Sequence, residues 1–287
     1  MQQHAVSTFY LLAFAISWVG ILLAVGGPRG FPGTGDPGDP RFVLVMLAWL
    51  AGPSIAGLIM TGVTDGRAGY RALVSHLLRW RIGARWYALA LLTAPLVYLV
   101  VSFSLSLTSP DFVLSIVANS DKAAVLVMGL TYGLLGGGFL EELGWTGFAV
   151  PRLRQLHGIV TTGLTAGFLW GAYHFSVIVW ASSPSGGLGP AILFAQLFAW
   201  LPAYRVLMVW AYDRTQSLLL AMLMHASLTA GMLILQPVLV GGIPLMTWLV
   251  AWAVAWWAVV AVIALATRGY ASARRISGAS RVSEGVA

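Results

Sequence analysis

Residues 139–151 read Phe139-Leu-Glu-Glu-Leu-Gly-Trp-Thr-Gly-Phe-Ala-Val-Pro151 and lie at the end of a long apolar run. The whole chain has only nine acidic residues, and two of them, Glu141 and Glu142, stand side by side here. A carboxylate at the centre of a bilayer costs roughly 2.5–3.5 kcal/mol or more. Two adjacent glutamates in such a segment therefore need partners or a function, which the rest of the chain must supply.

The composition is that of a protein that crosses a membrane several times. Of the 287 residues, 59% are hydrophobic and 9% are charged, and the mean hydropathy is +0.85. Soluble domains contain about 25% charged residues. The net charge of +7 does not indicate a nucleic-acid partner, because the basic residues are spread over short loops. The absence of cysteine excludes disulfides and thiolate metal sites.

Eight segments are long and apolar enough to form membrane helices, which need about 20 residues each. They cover approximately 7–26, 42–63, 86–108, 123–150, 158–179, 188–209, 217–236 and 245–267. We therefore predict an all-α polytopic membrane protein with a single transmembrane domain over residues 1–267. Residues 268–287 are expected to form a polar cytoplasmic tail.

The basic residues predict how these helices are oriented. If both termini are cytoplasmic, thirteen of the sixteen basic residues lie on the cytoplasmic side, which is the asymmetry of the positive-inside rule. The thirteen are Arg67, Arg71, Arg79, Arg81, Arg85, Arg152, Arg154, Arg205, Arg214, Arg268, Arg274, Arg275 and Arg281. In the second loop, Tyr70 to Arg81 predicts a short interfacial helix whose leucines share one face, with an ordinary basic loop as the alternative.

Two histidines accompany the glutamates inside predicted helices. His225 lies about 12 Å from the cytoplasmic end of its helix, and the glutamates lie about 13 Å from the end of theirs, at 1.5 Å per residue. The same count puts His174 about 24 Å deep in an upright helix, which is too far for direct contact. We therefore expect the helix of His174 to begin later, to tilt strongly or to line a deep polar cavity.

Neighbours of these side chains follow helical spacing. Trp170 lies one turn before His174 and Thr229 lies one turn after His225, so each pair shares a helix face. The alternative for Trp170 is simple packing, since the chain has thirteen tryptophans. Two sets of glycines predict close approach of neighbouring helices. These are Gly136, Gly137 and Gly138 before the glutamates, and Gly163, Gly167 and Gly171 before His174.

Two carboxylates and two imidazoles in a cavity of low dielectric can perform general acid–base chemistry. One glutamate can act as the base toward a water molecule with a histidine as its partner, and the second histidine can donate to a developing oxyanion. Alternatively, Glu141, His174 and His225 could hold a zinc ion, because three protein ligands and a water form a catalytic zinc site. A proton relay in a transporter and a structural polar cluster are the other interpretations.

Three short motifs follow one another in the central part of the chain. They are Glu141-Glu-Leu-Gly-Trp-Thr146, Phe168-Leu-Trp-Gly-Ala-Tyr-His174 and His225-Ala-Ser-Leu-Thr229. They resemble the Glu-Glu-x-x-x-Arg motif, the aromatic residue followed by histidine, and the His-x-x-x-Asn motif of the CPBP membrane proteins. That family includes the type II CAAX prenyl proteases and the bacterial Abi proteins, and the resemblance covers about residues 45–230.

The resemblance implies an eight-helix intramembrane endopeptidase, here in a bacterial plasma membrane. By position, Glu141 would be the general base, His174 would assist it, His225 would contribute to the oxyanion hole and Glu142 would support the site. A metal-free glutamate protease is favoured over a metalloprotease with zinc. The implied partners are membrane lipid and a protein or peptide substrate, with or without a lipid anchor; no particular oligomeric state is indicated.

The sequence departs from the family motifs at two positions. Thr146 stands where the first motif has arginine, and Thr229 stands where the third has asparagine. Arg152 or Arg205 could replace the missing charge, and Thr229 keeps a hydroxyl donor. Loss of an oxyanion donor typically costs about 10²–10³ in rate. The alternative function is therefore a weak or silent family member that binds a membrane partner in immunity or assembly; a proton-coupled transporter is more distant.

Overall fold

The computed structural model is a bundle of helices. It describes residues 2–31, 33, 35, 36, 38–181, 189–238 and 242–283, and the side chains among them except those of 2, 3 and 266–283. Within this part of the chain there is no strand, and eight helices are long and apolar enough to span a membrane. They are α1 (His4–Ala24), α2 (Phe42–Leu77), α3 (Ala84–Ser106), α4 (Lys122–Leu156), α5 (Ile159–Ala181), α6 (Pro190–Thr215), α7 (Leu218–Leu235) and α8 (Gly242–Leu265). The all-α prediction with eight spans is confirmed.

Several helices extend beyond their predicted ends. The helix that contains α8 continues to Ser283, so most of the predicted tail is helical, and residues 284–287 lie outside the described residues. Helix α4 continues past Pro151 to Leu156. Proline is tolerated there because the π-helical turn Trp145–Ala149 precedes it and already interrupts the regular i→i−4 hydrogen bonds. The orientation of the termini stays a prediction.

Helix α2 consists of two helices that meet at a glycine. Gly66 has φ 57° and ψ −142°, a backbone conformation that is essentially restricted to glycine. The second part, residues 67–77, is the short helix predicted for residues 70–81, and the alternative of an ordinary loop is wrong. It ends earlier than predicted, at Leu77, so Arg79 and Arg81 lie beyond it.

The apolar face of this short helix packs on the protein. Leu73 is buried against Leu218 and Met222 of α7. His76 Nδ1 lies 3.0 Å from the Tyr212 hydroxyl at the end of α6. The segment therefore packs against α4, α6 and α7, and Leu73 contacts protein.

Helices α5 and α6 are in backbone contact along the face formed by Gly163, Gly167 and Gly171. A Cβ on Gly163 or Gly167 would collide with the backbone of α6, and one on Gly171 would collide with the carbonyl oxygen of Leu197. A Cβ on Gly167 would also lie 3.2 Å from Cβ of Arg205. The predicted close-packing face is confirmed, and it brings the Arg205 segment of α6 against the segment of α5 that precedes His174.

The second glycine set joins α4 to α7. A Cβ on Gly137 would lie 2.6 Å from Oγ1 of Thr229 and 2.7 Å from Nε2 of His225, and one on Gly138 would lie 2.7 Å from the carbonyl oxygen of Met222. Only hydrogen in place of a side chain allows this approach. The absence of side chains at these glycines therefore brings His225 next to the glutamate-bearing part of α4.

The glycine contact between α5 and α6 predicts a position-specific loss of stability. Gly171→Ala is expected to lower the free energy of unfolding by about 1–3 kcal/mol, because the carbonyl of Leu197 cannot move away without shifting α6. The measurement is unfolding of the purified protein in detergent micelles.

Gly158→Ala is the matched control for Gly171→Ala. A Cβ at Gly158, immediately before α5, meets no atom within 4 Å among the described residues. Its free energy of unfolding is expected to stay within about 0.5 kcal/mol of wild type. Equal losses in the two variants would contradict the close contact.

Candidate active site

The two glutamates lie in a short α-helical part of α4, Leu140–Gly144, between two π-helical segments. The segments are Gly133–Phe139 and Trp145–Ala149, and such turns often occur at functional sites. Both glutamates are buried, Glu141 with 1% and Glu142 with 0% of its surface exposed. Adjacent residues on a helix point about 100° apart. The two carboxylates therefore reach different partners within the bundle.

Glu141 is held by one of its two carboxylate oxygens. Its Oε2 accepts hydrogen bonds from the indole nitrogen of Trp145, at 2.9 Å, and from that of Trp170, at 3.0 Å. Its Oε1 is buried and accepts no hydrogen bond from any described residue. The Trp145 ring is itself packed against Tyr10 and Tyr173, with centroids 5.5 and 5.1 Å away. The carboxylate is thus oriented through Oε2, which leaves Oε1 for a reacting molecule.

Glu142 uses both of its oxygens within the protein. Nη1 of Arg205 lies 3.0 Å from each oxygen, and Nδ1 of His225 lies 2.8 Å from Oε1. The hydroxyl of Thr146 donates to Oε2. Because its oxygens already have these partners, Glu142 is suited to holding other side chains and is poorly suited to activating a water molecule.

Trp170 connects the two halves of the site. Its ring centroid lies 5.4 Å from that of His174 and 4.9 Å from that of His225, and Cζ of Arg205 lies 4.2 Å from it. His174 accordingly reaches the site beside the tryptophan that binds Glu141, and no hydrogen bond among the described side chains joins His174 to Glu141. Trp170 is therefore more than a packing residue.

The donor set does not fit a zinc site. No group of three His, Asp or Glu side chains in the described part of the chain is placed to hold a metal ion. Nδ1 of His174 pairs with the carbonyl oxygen of Trp170 at 2.7 Å, and Nδ1 of His225 pairs with Glu142. The proposed ligands Glu141, His174 and His225 each contact Trp170.

The central part of the chain matches a known family of proteases. Residues 123–231 match the sequence model of the type II CAAX prenyl endopeptidase Rce1-like family. This match supports a CAAX-type intramembrane protease family for the chain. The match runs from α4 into α7 and contains both glutamates and both histidines. A comparison with curated proteins finds no match.

Arg205 is the arginine that lies next to the glutamates, and it forms an ion pair with Glu142. The charge count assigned Arg205 to the cytoplasmic side, but only 1% of its side chain is exposed, and it lies inside α6. Its charge is paired with Glu142 inside the bundle, and the side of the membrane on which it lies stays a prediction. Arg152, the other candidate, binds Asp65 and Thr64 of α2.

Sequence reasoning missed Trp145 as a partner of Glu141. The two residues are four positions apart, and side chains at this spacing meet on one helix face, so the signal was present. Thr229 occupies the asparagine position of the family motif and is half-buried. Its hydroxyl lies beside Nε2 of His225, where both atoms face Gly137. The structure thus brings all seven predicted site residues to one region of the bundle.

The hydrogen bond between Trp170 and Glu141 predicts a loss of stability when it is removed and an aromatic ring is kept at position 170. Trp170→Phe keeps an aromatic ring between His174, His225 and Arg205 but removes one of the two donors to a buried carboxylate. The free energy of unfolding is expected to fall by about 1–3 kcal/mol, measured by unfolding in detergent.

Trp210→Phe provides the comparison for Trp170→Phe. Trp210 is half-buried on α6, and its indole nitrogen has no acceptor among the described residues. The same substitution there removes no hydrogen bond, so little change is expected. A loss at Trp210 as large as that at Trp170 would show that ring size matters and the hydrogen bond does not.

Proposed function

We propose that this protein is an intramembrane endopeptidase that hydrolyses a peptide bond of a membrane-associated protein or peptide. The observation that supports it most is the geometry of Glu141: two indoles orient Oε2, and Oε1 is buried without a protein donor among the described residues. The match to the protease family supports the same reaction class. The proposed setting is a bacterial plasma membrane with both termini in the cytoplasm, where lipid surrounds the bundle.

Glu141 is the general base in this proposal. A water molecule at Oε1 gives a proton to the carboxylate while its oxygen attacks the carbonyl carbon of the scissile peptide bond. The proton then passes to the nitrogen of the leaving amine, the carbon–nitrogen bond breaks and Glu141 returns to its starting state. His174 lies beside Trp170 and assists proton transfer from the half-exposed side of the site.

The oxyanion is stabilised from α7 in this mechanism. In this mechanism His225 carries a proton on each ring nitrogen: Nδ1–H donates to Glu142, and Nε2–H is the donor that can reach a substrate. The hydroxyl of Thr229 stands next to it at the surface of Gly137 and supplies a second donor in place of the asparagine of the family motif. Donors arranged in advance of the reaction stabilise the developing charge at little cost in reorganisation.

The substrate approaches from the side of His174 and Thr229. These two side chains are half-buried, whereas Glu141 and His225 are 1% and 3% exposed. A peptide that enters from this side displaces lipid or water before it reaches Glu141. The removal of water strengthens the electrostatic interactions within the site. The proposed substrate is therefore an extended segment at the membrane surface, with or without a lipid anchor.

The first test of the function is Glu141→Gln in protein reconstituted in liposomes. The probe is a fluorogenic peptide with a farnesylated Cys-aliphatic-aliphatic-X terminus, used beside the same peptide without the lipid. Removal of a general base is expected to lower cleavage by about 10²–10⁴-fold. The amide keeps the size of the side chain and can still accept from the two indoles.

Asp111→Asn is the matched control for this substitution. Asp111 is an exposed carboxylate in the connection after α3 that makes no contact with the site residues named above, and its variant is expected to cleave like wild type. Undiminished cleavage by the Glu141 variant would rule out Glu141 as the base. Absence of cleavage by wild type on both peptides would count against the protease function with these substrates.

Metal dependence provides an independent test of the chemistry. The proposed mechanism needs no metal, and the donors Glu141, His174 and His225 do not form a group that fits zinc. Cleavage is therefore expected to be unchanged after dialysis against 1,10-phenanthroline, measured with the same peptide. Loss of activity that returns when zinc is added would overturn the metal-free mechanism in favour of a metalloprotease.

A silent family member that binds a membrane partner is the second candidate function. It is favoured by Thr146 and Thr229, which replace the arginine and asparagine of the family motifs, and by the low exposure of Glu141. This candidate and the protease respond differently to the Glu141→Gln variant. A cellular role in immunity or assembly that survives this substitution favours binding, whereas its loss favours catalysis.

A further inference from the structure

The proposed chemistry leaves a buried ion pair between two helices unexplained. Arg205 on α6 is 1% exposed, and its Nη1 lies 3.0 Å from both oxygens of Glu142 on α4. Nε and Nη2 of Arg205 have no acceptor among the described residues, so this carboxylate is its hydrogen-bond partner there. Removing one member of a buried pair strongly destabilises the charge that is left. The guanidinium of Arg205 is therefore committed to the carboxylate of Glu142.

Position 146 is the other place from which an arginine could reach this carboxylate. Residue 146 is four positions after Glu142, and Thr146 donates its hydroxyl to Oε2 of Glu142. Side chains at this spacing share a helix face, so a longer side chain at 146 would point at the same carboxylate. Positions 146 and 205 therefore face one acceptor from two helices, and this chain has threonine at the first and arginine at the second.

We propose that Arg205 replaces the arginine that is absent at position 146, and that it acts as a positioning residue for the catalytic pair. This inference rests on the proposed function. The charge of Arg205 holds Glu142 in place, and Glu142 in turn holds Nδ1 of His225 at 2.8 Å. Arg205 also lies 4.2 Å above the ring of Trp170, the tryptophan that binds Glu141. One guanidinium therefore contacts the supports of both the base and the oxyanion donor.

Arg152 does not have this role. It binds Asp65 and Thr64 of α2, and its Cζ lies 3.6 Å from the ring centroid of Phe148 on α4. Its charge is already used by a carboxylate outside the site. Arg205 is thus the arginine that the structure joins to Glu142.

An exchange of the two residues tests the inference. Four proteins are compared: wild type, Thr146→Arg, Arg205→Thr and the double exchange Thr146→Arg/Arg205→Thr. The first single variant puts two cations against one carboxylate, and the second leaves Glu142 without its cation. Each single variant is expected to lower kcat by about tenfold or more. The double exchange is expected to have a kcat at least about tenfold higher than that of the slower single variant, because directly contacting residues are strongly coupled. KM is expected to change little, because Arg205 contacts no substrate in this scheme.

Two further variants separate positioning from simple support of the fold. Arg205→Lys keeps the charge and is expected to retain more kcat than Arg205→Thr, although it loses the planar group over Trp170. Arg214→Thr is the control, because it changes the same residue type at an exposed position on the same helix and is expected to behave like wild type. Size-exclusion chromatography and the unfolding temperature report folding of every variant.

The outcomes distinguish this inference from the protease function. If wild type cleaves and the double exchange is no faster than the slower single variant, or does not fold, Arg205 does not replace an arginine at 146. If Arg205→Thr cleaves like wild type, the positioning role is wrong. If wild type shows no cleavage, the protease function fails, but the unfolding temperatures still test whether Arg205 replaces an arginine at position 146. A double variant that is more stable than both single variants supports the replacement. A double variant that is no more stable than the single variants contradicts it.

Discussion

Two neighbouring carboxylates inside a membrane helix must find hydrogen-bond donors and positive charge within the bundle, since lipid offers neither. In the described part of the chain these partners come from four helices. Trp145 and Thr146 lie on α4 itself, Trp170 on α5, Arg205 on α6 and His225 on α7. The need to satisfy Glu141 and Glu142 therefore fixes how α5, α6 and α7 are arranged around α4.

The same requirement explains where the glycines lie. Hydrogen bonds of 2.8–3.0 Å between helices need close backbones. Gly137 lets α7 bring His225 against α4, and Gly167 lets α6 bring Arg205 against α5. Gly57 on α2 approaches the backbone of Gly144, directly after the glutamate segment. These glycines thus allow the close helix contacts that the polar interactions need. Each of them faces a helix segment that contains a site residue or lies next to one.

The environment gives the two glutamates different chemical capacities. Glu142 is paired through both oxygens, which suits a residue that orients His225 and anchors Arg205. Glu141 is held through Oε2 alone, and its Oε1 has no donor among the described residues, which suits a residue that acts on a water molecule. Adjacent positions in one helix therefore provide a support and a reactive group, because a rotation of about 100° directs them to different neighbours.

The sequence by itself determined the all-α membrane fold, the eight apolar segments and the few ionisable residues from which a site could be built. Hydropathy suffices for this, because a chain in lipid must satisfy its backbone within each helix and because charges in that environment are rare. It also indicated the glycine faces and the pairs spaced one turn apart, although it overlooked Trp145 and ended α4 at Pro151. The tertiary structure decided which arginine meets Glu142, how His174 approaches the site through Trp170 and which glutamate oxygen is left free. These depend on distances between helices that are far apart in the chain, and local spacing carries no information about them.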